Sequence, residues 1–364
     1  MTKWVELYGH RFKRAFVERY KKLLGDRFDE FIRWSLKPLK KSIRINTIKV
    51  EDNLTKEELM QIIIEKQEID NKRKEEEILE FLEKQFYLKP YPFKGPKATE
   101  VLRRLKEEGW EIRPIPWYKY GFWVERPERR DIGNTIEFQL GYIYSQEAAS
   151  MIPPIVLDPK PGELVLDIAA APGSKTTQMA MHMENKGVIV ANDVDLQRIS
   201  ALVENLQRCG VMNTIVTKMD GRKLVRFPIK FDKVLADVPC SGVGALRKSY
   251  KTLRMWNPEM VTRLSKLQKQ LIKAAFEVLK PGGILVYSTC TLEPEENEEV
   301  VSWLLEHYPN AKVEKIHLPH LKTSEPVLEW EGKKYHENVK YTLRIYPFDN
   351  DTEGFFVAKI RKLE

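Results

Sequence analysis

Two cysteine-containing segments and one turn of small residues hold the side chains of this sequence that could do chemistry. Cys240 ends the segment Asp237-Val-Pro-Cys240, and Cys290 lies in the segment Ser288-Thr-Cys-Thr291. Carbon 5 of cytosine is a weak nucleophile, and it becomes reactive when a thiolate adds to carbon 6. A cysteine close to a bound methyl donor is therefore what methyl transfer to a pyrimidine carbon demands.

Each cysteine also has a structural explanation, because a lone cysteine is more often a small buried core residue. Two of the three cysteines follow predicted strands near the small-residue turn, which favours chemistry over packing. The residues themselves do not show which thiol attacks. Three cysteines cannot pair evenly, and no Cys or His spacing indicates a zinc site, so we expect no disulfide framework and no metal.

The small-residue turn follows the predicted strand Leu164–Asp167 and is placed to bind a cofactor. In a parallel sheet, ligands bind beyond the carboxyl ends of the strands, where small side chains let the backbone approach them. The turn lacks the G-x-G-x-x-G pattern of dinucleotide-binding proteins. Its small or stiffening members are Ala169, Ala170, Ala171, Pro172 and Gly173.

Two acidic residues lie at the ends of the next two predicted strands. Asp193, 20 positions after Gly173, is placed to bind ribose hydroxyls, and Asp220 is placed to meet an adenine amino group. Ribose and adenine binding without a phosphate cradle indicates S-adenosylmethionine. The alternative is that both aspartates are ordinary turn residues at strand ends.

The region from 138 onward alternates strands with helices, which predicts a Rossmann-like α/β domain with a doubly wound, mostly parallel sheet. Predicted strands cover 164–167, 188–191, 214–217, 233–237 and 284–288, and predicted helices cover 174–184, 196–208 and 258–279. Two more strands, near 341–346 and 354–360, would add an antiparallel edge.

The region before it is predicted to form a smaller α+β domain, with helices over 10–36 and 98–108 and strands over 42–50, 110–117 and 121–125. Thr55 and Glu58 form a capping-box signal that opens a charged helical stretch. This stretch breaks near Asp70–Asn71, resumes to about Phe86 and leads into a proline-rich connector. We therefore divide the chain into an RNA-binding domain over 1–135, with an insertion at about 53–95, and a catalytic domain over 136–364.

Residues 1–41 carry +7 of the chain's formal net charge of +8. Their basic residues are interleaved with aromatic ones, namely Trp4, Tyr8, Phe12, Phe16, Tyr20 and Trp34. This pattern is typical of a surface that grips a phosphate backbone. The alternative is a solvated helix face whose aromatics lie in the core. Since there is neither a membrane-spanning apolar run nor a secretory signal, we expect a cytoplasmic location and no membrane.

The segment Phe231–Gly242 closely resembles the signature of the Nol/Nop/Sun family of RNA cytosine-C5 methyltransferases. The resemblance covers nearly the whole chain except residues 53–95. Further blocks similar to the family occur in order: Arg44–Asn46, Tyr144–Ser150, Ala169–Lys175, Asp193 with Arg198, Asp220–Arg222, Tyr287–Thr291 through to Asn297, and Gly354–Ala358.

The resemblance implies a role for each matching residue. Cys290 would be the nucleophile that adds to carbon 6, and Cys240 would assist release of the methylated product. Asp237 would hydrogen-bond the base, with Lys175 beside it. The residues implied to contact S-adenosylmethionine are Ala169, Ala170, Ala171, Pro172, Gly173, Ser174, Lys175, Asp193, Arg198, Asp220 and Asp237.

The resemblance also implies that the partner is structured RNA, either tRNA or rRNA, and we expect the protein to be a monomer. The target base must be single-stranded or flipped out, because side chains cannot reach a base inside a helix. Arg247, Lys248 and Lys251 either contact phosphates or form a solvated loop. Two rivals stay open: an RNA-binding ribosome-assembly factor with dispensable catalysis, and a methyltransferase acting on DNA or a small molecule.

Overall fold

The computed structural model describes residues 4–63, 76–82, 95–126 and 131–364. The strands are β1 Trp4–Leu7, β2 His10–Lys13, β3 Lys41–Ile45, β4 Glu111–Ile115, β5 Tyr118–Glu125, β6 Ile143–Ser145, β7 Leu164–Asp167, β8 Val188–Asp193, β9 Thr214–Lys218, β10 Phe231–Asp237, β11 Leu279–Thr289, β12 Ala311–Glu314, β13 Glu329–Trp330, β14 Lys333–Lys334, β15 Leu343–Ile345 and β16 Phe355–Lys362.

The helices are α1 Arg14–Leu24, α2 Phe28–Leu36, α3 Lys56–Ile63, α4 76–82, α5 Ala98–Glu107, α6 Ile136–Gln139, α7 Ile152–Leu157, α8 Ser174–His182, α9 Leu196–Cys209, α10 Lys251–Met255, α11 Pro258–Glu277, α12 Glu298–His307 and α13 Pro347–Asn350. Helices α8, α9 and α11 follow parallel strands, as the alternating pattern predicted. None of the described helices is long and apolar enough to cross a membrane.

The larger sheet has the predicted Rossmann-like topology. Its strands run in the order β12-β16-β11-β10-β7-β8-β9, with β15 also paired to β16. The strands from β11 to β9 are parallel, whereas β16 is antiparallel to β11. Asp237 is in register with Ser288, so the polar ends of β10 and β11 meet at one edge of the sheet. The fold class is confirmed, although β12, which lies outside the antiparallel strand, was not predicted.

The smaller sheet has the strand order β4-β5-β3-β6. It lies mainly in the first domain and packs against the second. Its last strand, Ile143–Ser145, pairs with β3 and lies beyond the proposed boundary at 135. The fully buried Arg44 of β3 donates to Gln146 Oε1 at 2.8 Å and to Thr177 Oγ1 of α8 at 2.7 Å. One apolar core runs from β3 through α8 to the larger sheet. The division of the chain near 135 therefore stays a proposal.

The helices predicted over 10–36 are present from Arg14 to Leu36, but the residues before Arg14 differ from the prediction. The strands β1 and β2 form a hairpin, so residues 10–13 are a strand and the first helix begins at Arg14. Within this short strand only Phe12 is buried, while His10 and Arg11 are exposed, and four residues are too few for a helical period to be told from a strand.

The aromatic residues of this segment lie mostly in the core, as the structural alternative predicted. Phe12, Phe16 and Tyr20 are buried, and the Phe16 ring meets the Trp256 ring edge-on at 5.2 Å between centroids. The first helices thus pack on the catalytic domain. Their exposed polar side is what is left to face a partner.

The predicted strand over 42–50 ends at Ile45 because Asn46 turns the chain. The Asn46 side chain donates to the carbonyls of Gly141 and Cys209 at 2.8 and 2.9 Å, and it accepts from the amide of Ile48 at 3.3 Å. A side chain that bonds its own backbone two residues on stabilises a turn rather than a ladder.

The predicted insertion begins as expected. The Thr55 hydroxyl accepts from the Glu58 amide at 3.2 Å at the start of α3. The Phe81 ring of α4 contacts the His320 ring, with 5.1 Å between centroids, so this part of the insertion packs on the catalytic domain. The predicted break at 70–71, the end near 86 and most of the proline-rich connector lie outside the described residues.

Candidate active site

A cavity of about 400 Å³ opens at the carboxyl ends of the parallel strands, where the strand-end rule predicted a ligand site. The predicted site residues that line it are Ala169, Ala170, Ala171, Pro172, Ser174, Lys175, Arg198, Asp237 and Cys290. The cavity wall is completed by side chains to which the sequence gave no role, including Tyr144, Gln146, Glu147, Asp167, Glu353 and Phe355.

The turn between β7 and α8 requires glycine at position 173. Gly173 has a φ of +102°, and a Cβ there would lie 2.8 Å from Leu202 Cδ1 of α9. The positive φ is what favours glycine here, because a residue with a Cβ adopts this conformation only with strain. Helix α8 starts at the next residue, which brings Lys175 into its first turn, beside the end of β10.

Lys175 and Asp237 form the charged centre of the cavity. Lys175 Nζ lies 2.6 Å from Asp237 Oδ2, and the Ser288 hydroxyl donates to Asp237 Oδ1 at 2.8 Å. Burial alone would lower the pKa of the Lys175 ammonium, but the Asp237 carboxylate outweighs it and raises that pKa. The lysine is therefore charged. The Asp237 carboxylate that holds it is fixed in turn, because each of its two oxygens accepts a hydrogen bond.

The two predicted cysteines meet. Cys240 Sγ lies 3.3 Å from Cys290 Sγ, and both thiols are free. The hydrogen bond with Cys290, together with burial, raises the pKa of Cys240 well above its usual range. Cys240 therefore keeps its proton, and its S–H can donate a hydrogen bond to Cys290 Sγ. Of the two, Cys290 lines the cavity.

Backbone and side-chain bonds fix the two cysteine segments against each other. The Ser241 and Thr291 hydroxyls lie 2.7 Å apart, and the Gly244 amide donates to the Cys290 carbonyl at 3.0 Å. The Gly354 amide then donates to the Gly244 carbonyl at 2.9 Å. A Cβ on Gly244 would lie 2.0 Å from the Gly354 carbonyl oxygen, so this close approach needs glycine.

Glu296 stabilises the segment that contains Cys240 by accepting hydrogen bonds. Its Oε2 accepts from the Ser241 amide at 3.0 Å and from Gln268 Nε2 at 2.7 Å, while its Oε1 is buried without a hydrogen-bond partner among the described residues. Burial raises the pKa of Glu296 to about 7, although both bonds oppose the shift.

Two buried acids in the cavity wall were missed as site residues. Glu147 accepts from the amides of Ala149, Ser150 and Glu353, and Glu353 Oε1 has no hydrogen-bond partner among the described residues. Burial and the neighbouring Glu147 raise the pKa of Glu353 to about 8. Glu147 lies within a family-like block and Glu353 directly precedes another, and that was the signal available in the sequence.

Asp193 and Asp220, which the sequence predicts to contact the ribose and the adenine, are not among the residues that line the cavity. Asp193 is buried and accepts from the amides of Ala171 and Asp195 at 3.1 and 3.0 Å, so it shapes the small-residue turn. Asp220 caps the short helix that follows β9 and pairs with Arg222 at 2.5 Å. Contacts of either residue with a cofactor stay predictions.

Arg198 contacts both the small-residue turn and Asp193. Its guanidinium donates to the Ala171 carbonyl and lies 3.7 Å from Asp193 Oδ2, while its side chain is half exposed at the cavity. It thus reaches the cavity from α9, and its contact with the ribose of a cofactor stays a prediction.

The cavity fits S-adenosylmethionine in two respects. Alanine side chains and backbone form its turn side, which leaves room for a ligand against the chain. Asp167 is buried in the wall, and its Oδ1 has no hydrogen-bond partner among the described residues, so it offers an acceptor to the hydroxyl or ammonium donors of the cofactor. Burial raises the pKa of Asp167 to about 7.

The basic loop after Cys240 divides into two kinds of residue. Arg247 is buried, and it donates to the carbonyls of Lys37 and Thr352 and pairs with Asp351 at 2.7 Å. It therefore ties the first domain to the second and is not a phosphate contact. Lys248 and Lys251 are exposed, and Lys248 lines the cavity. Within the described residues, no cluster of His, Cys, Asp or Glu could hold a metal.

This combination of fold and site defines a class of methyltransferase. Residues 154–361 match the family described as 16S rRNA methyltransferase RsmB/F, and residues 93–148 match the N-terminal domain of 16S rRNA methyltransferase RsmF. The chain belongs to the RsmB/F family and is an S-adenosylmethionine-dependent RNA methyltransferase. The resemblance to the Nol/Nop/Sun enzymes is thereby confirmed.

Relatives within this class act on different RNAs. The chain is 47% identical, over 98% of its length and 99% of the relative's, to a tRNA (cytosine(49)-C(5))-methyltransferase of Pyrococcus abyssi. It is 39% identical, over 92% of its length, to ribosomal RNA small subunit methyltransferase F of Aliivibrio fischeri, of which it spans 60%. A crystal structure of a methyltransferase homolog from Pyrococcus horikoshii aligns over 97% of this chain and 96% of its own, with a TM-score of 0.75 and 35% identity.

Proposed function

We propose that this enzyme methylates carbon 5 of a cytosine in structured RNA through a covalent bond between Cys290 and carbon 6 of the base. The observation that carries the proposal is the pair of free thiols, 3.3 Å apart, beside the Lys175–Asp237 ion pair. S-adenosylmethionine, when bound, supplies an electrophilic methyl group.

Cys290 is proposed as the nucleophile because it is the thiol that lines the cavity. Its thiolate would add to carbon 6, and carbon 5 would gain electron density and take the methyl group as the methyl–sulfur bond of the donor breaks and a neutral thioether leaves. Loss of the carbon 5 proton then allows the bond between carbon 6 and sulfur to break. A hydrogen bond from the Cys240 thiol would stabilise the Cys290 thiolate before it attacks carbon 6 and again when it leaves carbon 6.

Asp237 and Lys175 are proposed to act on the pyrimidine ring. Addition of sulfur at carbon 6 places negative charge on N3 and O2 of the ring, and a fixed ammonium nearby stabilises that charge. Asp237 holds the ammonium in place and offers a carboxylate oxygen to the cytosine amine. Both groups are fixed before the substrate arrives, so little reorganisation opposes the reaction.

We propose, as the family resemblance implies, that the cofactor is bound by residues 169–175 together with Asp193, Arg198 and Asp220. Support comes from the position of the turn in the cavity wall and from the bonds that join Arg198 and Asp193 to it.

We propose tRNA as the first substrate to test, because the relative that the chain matches over its full length is a tRNA enzyme. Small-subunit rRNA is the second. The exposed basic side of the first domain is proposed to hold the flanking backbone.

The test is transfer of labelled methyl from S-adenosylmethionine to unmodified tRNA and rRNA transcripts, followed by nucleoside analysis. Wild type is compared with Cys290→Ala and Cys240→Ala. We expect 5-methylcytidine on one RNA, its loss with Cys290→Ala, and a covalent protein–RNA adduct that accumulates with Cys240→Ala.

Cys209→Ala is the matched control, because Cys209 is a buried cysteine outside the cavity. Methylation by Cys290→Ala at the wild-type rate would contradict the covalent mechanism. Failure of the wild type on every transcript would favour an RNA-binding assembly factor.

A further inference from the structure

A strip of exposed residues leads away from the mouth of the cavity. Lys248 lines the cavity, and the chain continues from it through Tyr250 into α10. A Cβ on Gly242 would lie 3.9 Å from Thr252 Cγ2, so this segment packs two residues from Cys240. Its exposed side chains therefore flank the entrance that a target base must use.

Tyr250 presents an ordered aromatic ring on this strip. The ring stacks on that of His10, with 5.4 Å between centroids and 22° between planes, and the hydroxyl donates to the Leu36 carbonyl at 3.0 Å. The side chain is nonetheless 43% exposed. A ring that is fixed by two contacts but still open to solvent is ready to stack with a planar partner at small entropic cost.

The charged side chains of the segment that contains this ring, from Lys248 to Arg254, are all basic. Lys248, Lys251 and Arg254 are exposed, and none forms an ion pair with a carboxylate in the part of the chain that the structure describes. The same loop holds Arg247, which is buried and paired with Asp351. Within this segment Arg247 therefore joins the two domains, whereas Lys248, Lys251 and Arg254 face solvent.

We propose that His10 and Tyr250, with Lys248, Lys251 and Arg254, form a platform for a single-stranded stretch of RNA next to the target cytosine. One flanking base would stack on the His10–Tyr250 pair, and the three cations would contact the neighbouring phosphates. The inference rests on the proposed function only in that RNA is the substrate.

The physical reason for such a platform is the cost of extracting the target. A base that leaves its stack loses stacking energy, and its neighbours are left with open faces. Aromatic side chains replace that stacking without regard to sequence, and cations track the backbone. A platform at the entrance would hold the flanking nucleotide while the cytosine enters the cavity.

The experiment measures equilibrium binding of a fluorescein-labelled single-stranded oligocytidylate of about eight nucleotides to the full chain, without cofactor, at fixed salt. Tyr250→Ala is expected to weaken binding about tenfold, because one stacking contact is lost. Tyr250→Phe keeps the ring and is expected to stay within about twofold of wild type. His10→Ala is expected to weaken binding by a smaller factor than Tyr250→Ala.

Tyr341→Ala is the matched control, since Tyr341 is also exposed beside a lysine, Lys340, in the turn before β15. It is expected to bind like wild type. Equal losses in Tyr250→Ala and Tyr341→Ala, or unchanged binding in both Tyr250→Ala and His10→Ala, would overturn the platform. Circular dichroism and S-adenosylmethionine affinity check that each variant is folded.

Methyl transfer to tRNA and rRNA transcripts separates this proposal from the proposed function. If wild type makes no 5-methylcytidine but binding depends on Tyr250, the reaction is wrong and the platform stands. If wild type methylates RNA and Tyr250→Ala changes neither binding nor the KM for RNA, the platform is wrong and the reaction stands.

Discussion

The catalytic edge of the large sheet and the basic surface beside it use charge in opposite ways. At the edge, Lys175, Asp237 and Glu296 are enclosed and bonded to one another or to polar neighbours. On the surface, Lys248, Lys251 and Arg254 are exposed and form no ion pair with a carboxylate among the described residues. The difference teaches that chemistry requires groups fixed before substrate arrives, whereas holding RNA requires cations that are free to meet phosphate.

The largest expected effect comes from breaking the fixed charge at the catalytic edge. Asp237→Asn keeps the shape but removes the charge that orders Lys175, so kcat for methyl transfer is expected to fall by about 10²-fold or more. Affinity for tRNA is expected to change much less than kcat, because Asp237 would contact one base whereas the exposed basic surface would hold the flanking backbone. Single-turnover methylation and a binding titration on the same RNA measure both. Equal losses in RNA affinity and in kcat would contradict the proposed difference between the two regions.

The next effect tests the backbone contact that holds the cysteine segments. Gly244→Ala would place a methyl group 2.0 Å from the Gly354 carbonyl oxygen. We expect a loss of about 1–3 kcal/mol in the free energy of unfolding, as in overpacked sites, together with reduced activity. Urea unfolding measures it. Gly133→Ala is the control, because its nearest neighbour would be Phe138 at 3.9 Å; similar losses in both variants would refute the packing argument.

Removing an enclosed charge by Glu296→Gln should change how stability depends on pH. The folded-state pKa of Glu296 is raised to about 7, so its stabilising contribution is complete below about pH 4.5 and is lost as the pH rises through 7. The amide does not ionise and can keep the bonds from Ser241 and Gln268. Relative to wild type, Glu296→Gln is therefore expected to be more stable at pH 8 than at pH 4.5, by about 3 kcal/mol.

Urea unfolding at the two pH values measures this difference, and Glu299→Gln is the control of opposite sign. Burial opposes the ionisation of Glu299, but its bonds to Lys269 and Lys333 dominate and lower its pKa. Its contribution is present above its usual pKa, so Glu299→Gln should lose stability at pH 8 relative to pH 4.5. The same sign for both variants would contradict the electrostatic account.

The smallest expected effect is on the open surface. Lys251→Ala removes one exposed cation, so tRNA binding should weaken by a few-fold and the slope of log affinity against log salt should fall by about 1. The rate of methylation at saturating RNA should be unchanged. Titrations at several salt concentrations measure the slope, and an unchanged slope would remove Lys251 from the phosphate contacts.

The sequence by itself determined the fold class, the strand ends and most of the predicted residues that line the cavity there. This was possible because those signals are local: Asp167, Asp237 and Ser288 each end an apolar run, and parallel strands bring their ends to one edge. The small-residue turn and the two cysteine segments were found for the same reason.

Tertiary structure decided what depends on residues far apart in the chain. The contact between Cys240 and Cys290, the burial of Arg247 against Asp351 and the position of Glu353 in the cavity wall all join distant segments. Short elements such as the hairpin of β1 and β2 were also decided there, since four residues carry too little periodicity. Local patterns fix which groups reach the sheet edge, but only packing fixes which of them are enclosed, paired or left open to RNA.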